Sequence, residues 1–100
     1  MTASHALEKW LGTRGLDLRA VGIDSTLGRG PVVDGQPSAT WISFEGAQAI
    51  GRATLWSSGR CQLTARSIVD GTNICRDEET VTTAAGLDAV LTTLTGRLVF

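Results

Sequence analysis

The segment from Ala49 to Arg66, AIGRATLWSSGRCQLTAR, constrains the fold most, because small or apolar residues alternate with polar, Trp and Arg residues on both sides of a Gly-centred loop. Strict alternation of this kind marks a β-hairpin whose two faces differ chemically. A three-residue loop at Ser58-Gly59-Arg60 would set Leu55 opposite Leu63 and Ala53 opposite Ala65 on an apolar face. On the other face Trp56 would meet Gln62, Thr54 would meet Thr64, and Arg52 would meet Arg66. Trp and Arg supply much of the energy at protein interfaces, so this second face reads as a surface that meets a partner.

At 100 residues the chain is expected to form one domain over 1–100, able to fold alone but too small to enclose a sizeable cofactor. Hydrophobic residues make up 42% and charged residues 19%, a balance that excludes wholesale disorder. Nine Lys+Arg against ten Asp+Glu leave a formal charge of −1, so neither nucleic acid nor membrane is expected as a partner. The polar start of the chain, with no apolar core of signal-peptide length, points to a cytoplasmic protein with reduced cysteines.

Around the hairpin the pattern runs helix, strands, helix. Leu7, Trp10 and Leu11 recur at helical spacing after a cap at Ser4, with Gly12 or Gly15 as the stop and Trp10 in the core. Asp17 to Asp24 alternates as a first strand, and Ser25 to Ser38, broken by Gly28, Gly30, Pro31, Gly35 and Pro37, reads as a long loop. The second strand, Ala39 to Glu45, turns at Gly46-Ala47. With Phe44 opposite Ala49, Ile42 faces Gly51, Thr40 faces Ala53, and Trp41 lies across from Arg52, within reach of a cation–π contact of about 0.5–1 kcal/mol. A two-residue turn at Asp70-Gly71 leads into a short strand, Thr72 to Arg76, and puts Cys75 opposite Arg66. Cys61 and Cys75 then lie on opposite faces and cannot easily bond. The acidic run Asp77-Glu78-Glu79 leads out of that strand. Ala84, Leu87, Leu91, Leu94 and Leu98 mark one side of a final helix capped by Thr82 or Thr83. The resulting fold class is α+β: a two-layer, five-stranded antiparallel β-meander with N- and C-terminal helices packed on one face.

Catalytic and metal chemistry find little support. His5 is the single histidine and stands near the start, which disfavours a Ser-His-Asp or Cys-His mechanism. Two cysteines and one remote histidine do not make a zinc shell, and no metal or cofactor is expected. Consecutive carboxylates in an extended chain diverge, so Asp77-Glu78-Glu79 reads as solvated charge or as a patch for a basic partner. Gly28-Arg29-Gly30 lacks the third Gly and the Lys-Ser/Thr pair of a phosphate loop and reads as a turn. The candidate partner-binding residues are therefore Trp41, Arg52, Trp56 and Arg66, with Asp77, Glu78 and Glu79 beside them. Cross-strand shielding of the sheet is an equally good account of the Trp/Arg face, and stacking on single-stranded nucleic acid is a lesser alternative.

Leu7 with Trp10-Leu11, the run Gly51-Arg52-Ala53-Thr54-Leu55-Trp56-Ser57-Ser58-Gly59 and the closing Leu87-Asp88-Ala89-Val90-Leu91 resemble the TriTu-type immunity proteins of bacterial polymorphic toxin systems. The resemblance spans most of the chain, and Leu55-Trp56-Ser57-Ser58-Gly59 is its most specific piece. It implies a small, non-enzymatic, cytoplasmic α+β protein that binds and neutralises a cognate protein toxin. The alternative is a secretion-chaperone-like or scaffold domain that forms a homodimer or captures a polypeptide through its open sheet.

Overall fold

A computed structural model describes residues 3–30, 35 and 38–98. The elements are α1 (Ala3–Ala20), β1 (Asp24–Arg29), β2 (Ala39–Glu45), β3 (Ala49–Trp56), β4 (Arg60–Ser67), β5 (Asn73–Thr80) and α2 (Ala84–Gly96). The strands pair antiparallel in sequence order, β1-β2-β3-β4-β5, so the sheet is a meander with β1 and β5 as edges. Helix α1 lies over β1 and β2, and α2 lies over β3 and β4. The fold is thus α+β in two layers, with both helices on one face.

The core follows from the alternation. Thr40, Ile42 and Phe44 of β2, Ala49, Ala53 and Leu55 of β3, and Cys61, Leu63 and Ala65 of β4 are buried beneath the helices. Small residues on β3 let α2 approach, and its Leu87, Leu91 and Leu94, with Leu98 just beyond, fill the space. Thr83 caps α2, its hydroxyl accepting a hydrogen bond from the Gly86 N–H at 3.0 Å. Trp10 packs edge-on against Phe44, ring centroids 6.1 Å apart. Burial, and secondarily the charge of Glu79, push the Cys61 thiol up to about 11, so it stays protonated.

Helix α1 departs from the expected boundaries. It continues through Gly12 and Gly15 to Ala20, absorbing the first half of the segment read as a first strand, and Ser4 lies inside its first turn. A glycine inside a helix costs about 1 kcal/mol but does not stop it. The packing side recurs at Leu7, Trp10, Leu11, Arg14 and Leu18. The stop is Gly22, at φ +84°. Its N–H donates to the Arg19 carbonyl at 3.1 Å, and the Ile23 N–H donates to the Leu18 carbonyl at 2.9 Å. Those two bonds form a Schellman cap, which needs the left-handed conformation that glycine adopts freely.

The first strand is instead β1, which occupies the front of the segment read as a long loop. Pro31 and Pro37 of that segment lie outside the described residues. Helices α1 and α2 are tied together by Asp88, which accepts hydrogen bonds from Trp10 Nε1 at 3.0 Å and from Arg14 Nε and Nη2 at 3.2 and 3.3 Å. The Arg14 guanidinium first, then the Trp10 N–H, hold the Asp88 carboxyl below its ordinary range.

Strand registers also differ from those expected, and each difference has a turn as its cause. The β3-β4 loop is Ser57-Ser58-Gly59, with Gly59 last at φ +94° and its N–H donating to the Trp56 carbonyl at 2.9 Å. A three-residue hairpin loop places its left-handed residue at that final position. Leu55 therefore opposes Cys61, Ala53 opposes Leu63, and Arg52 opposes Thr64, a slip of two residues that preserves the faces. The β2-β3 pairing slips by two likewise, setting Phe44 opposite Gly51, Ile42 opposite Ala53 and Trp41 opposite Thr54.

At β4-β5 the expected two-residue turn is a four-residue loop closed by the Ser67 N–H and the Thr72 carbonyl at 2.9 Å. A register shift at Ala65/Arg66 pairs Ala65 with Cys75 and Cys61 with Glu79. Position 75 thus shares the ladder side of Ala65 and Cys61 rather than opposing it. Four residues of strand, about 13 Å, still separate it from the partner of Cys61, beyond disulfide reach.

Candidate functional site

The helices cover one face of the sheet; the other carries the candidate residues. With the alternation set by the core, Trp41 of β2, Arg52 and Trp56 of β3 and Arg66 of β4 all project to this open face. Arg60 of β4 and Arg76 of β5 join them, as does Glu78, which lies opposite Gln62. The acidic run lies within β5 rather than beyond it, so it divides. Glu78 takes the open face, while Asp77 and Glu79 take the helix side, opposite Leu63 and Cys61. Both are exposed. Charges on that side of an edge strand oppose pairing with another sheet.

Each tryptophan on the open face is met by an arginine. The Arg52 guanidinium lies 5.5 Å from the Trp41 ring centroid, reached diagonally because Ser43 is the direct opposite of Arg52. The Arg60 guanidinium lies 5.1 Å from the Trp56 ring and is held by Glu78 through Nε and Nη2. Exposed contacts of this type contribute about 0.5–1 kcal/mol each. Their larger effect is to hold two broad, half-buried aromatic surfaces in fixed positions.

The seat of Trp41 is a feature that composition did not signal. Gly28, directly opposite Trp41, has no side chain, and a Cβ there would lie 2.2 Å from Trp41 Nε1. Gly30 lies under the same ring, its nearest ring approach to an added Cβ being 3.5 Å. The pair read as a turn is thus the bare backbone over which an aromatic ring lies, an arrangement that shields glycines on an edge strand. The sequence signal for it is a glycine in cross-strand register with a tryptophan, visible only once β1 is placed.

Below the tryptophans the open face dips into a depression of about 500 Å³. Asp24, Thr26, Ser43 and Glu45 line one side, Arg52, Thr64, Arg66 and Asn73 the other, and Ile50 and Gly51 lie between them. Asp24 and Glu45 are direct cross-strand partners. Among the described residues, no group of three His, Cys, Asp or Glu side chains is arranged to hold a metal ion. No described helix is long and apolar enough to cross a membrane.

None of the curated proteins compared with the chain gives a match. The family description "Immunity protein TriTu" matches residues 5–95, which takes in all five strands, nearly all of α2 and all but the first two residues of α1. That match takes in the tryptophan-bearing hairpin, the meander and both helices, and the chain belongs to the TriTu immunity protein family.

Proposed function

We propose that the chain is a non-enzymatic inhibitor that binds a cognate toxin of a bacterial polymorphic toxin system in the cytoplasm and neutralises it by occlusion, through the open face of the sheet. Family membership supports a protein toxin as the general class of partner. The observation that carries the choice of face is the pair Trp41 and Trp56, half-buried and each fixed by a guanidinium on a sheet surface with no described helix over it. Rigid aromatic side chains lose little entropy on binding and anchor interfaces from their centre. Trp41 and Trp56 are the anchors in this reading, with Arg52 and Arg66 beside them.

Co-expression of the chain with the toxin gene adjoining its own tests the proposal. Restored growth and a complex that survives purification are the expected outcome. Continued toxicity, or rescue without a stable complex, would refute direct inhibition.

A further inference from the structure

The arginines of the open face fall into two classes. Arg60 is neutralised by Glu78. Arg52, Arg66 and Arg76 form no ion pair among the described residues. Arg52 and Arg76 flank Thr64 in one cross-strand row, about 10 Å apart across two strand spacings, and Arg66 lies two residues along β4 from Thr64 on the same face. All three are exposed, and Arg66 is steadied by its Nε donating to the Gly71 carbonyl at 3.3 Å. The chain as a whole carries a formal charge of −1, so this grouping is local.

Resting on the function proposed above, we infer that the toxin presents a short acidic segment, rich in Asp or Glu, to Arg52, Arg66 and Arg76, beside the tryptophan anchors. Three like charges grouped on a sheet surface repel one another, and a partner carboxylate relieves that repulsion while gaining charge-assisted, bidentate hydrogen bonds. The Asp24 and Glu45 pair across the depression limits how far an anionic partner can extend. A compact acidic loop fits that limit; a nucleic-acid backbone, charged at every nucleotide, does not. A second copy meeting this face with its own would bring three more arginines against Asp24, Glu45 and a Glu78 already paired with Arg60.

The test measures affinity of the purified chain for the co-expressed toxin domain at low and high salt. The double reversal Arg66→Glu with Arg76→Glu is expected to weaken binding at least 100-fold and to flatten its salt dependence, with an unchanged melting temperature. Arg19→Glu, on α1, is the control and is expected to change affinity less than twofold. Unchanged affinity in the double variant, with Trp56→Ala still disruptive, overturns the acidic-segment inference and leaves the inhibitor reading standing. Absence of any toxin complex is the failure of that reading instead. Binding of a 12-nucleotide single-stranded DNA lost in the double variant, or a dimer of the free chain broken by it, also overturns the inference.

Discussion

The two faces of the sheet are built from the same strands, yet one is close-packed and the other is ordered with no described helix over it. Under the helices, small and branched side chains interdigitate with the leucines of α2, and position is set by filling space. On the open face, position is set by stacking: Arg52 on Trp41, Arg60 on Trp56, Trp41 over Gly28. Large side chains that would otherwise sample several rotamers are held without being buried. A surface can thus be ordered for binding while its apolar area stays available to a partner.

The most forceful way to break this contrast is a truncation on each face. Leu91→Ala, at a fully buried position, should lower unfolding free energy by about 2–5 kcal/mol, read from chemical denaturation. Trp56→Ala should leave the fold intact and weaken toxin binding by about 2 kcal/mol or more in calorimetry. If Trp56→Ala instead unfolds the domain, the open face is structural and the contrast fails. Gly28→Ala sharpens it further: the added methyl must displace the Trp41 ring, so a loss of about 1–3 kcal/mol and a shift in tryptophan emission are expected.

Much of the architecture was legible in the sequence, and what was misread shared one origin. Face identity survived in β2, β3 and β4 because both of their hairpins slipped by two residues, and a period-two pattern is blind to even shifts; in β5 the shift was by one and the face was lost. Exact pairing depends on which loop residue takes the left-handed conformation, and Ser57-Ser58-Gly59 and Ser58-Gly59-Arg60 differ only in that respect. The helix boundary failed similarly, because Gly12, Gly15 and Gly22 are equivalent as letters and only Gly22 completes a cap. The acidic run was visible but its division was not, since that required β5 to extend to Thr80. Of the candidate residues, the Trp41, Arg52, Trp56 and Arg66 grouping followed from alternation alone. The Gly28 seat did not, because the strand that holds it was read as loop.

The smallest expected effect concerns the tie between the helices. Asp88 titrates below its ordinary 3.8 in the folded chain. The stability it contributes is therefore present above about pH 4 and is lost as pH falls through the lowered folded value. Asp88→Asn should remove that dependence, so the two proteins' stabilities converge as pH is lowered from 5 to 2, measured by urea titration at each pH.

That same carboxylate also orders events in time. Every strand pairing joins neighbours in sequence, whereas Trp10 and Arg14 meet Asp88 across separations of 78 and 74 residues. Closing so long a span is entropically slower than forming adjacent hairpins, so the tie belongs to the late, native side of the folding barrier. Its small contribution therefore falls on the rate of unfolding rather than on the rate of assembly, a latch added to a roof that the buried leucines already hold.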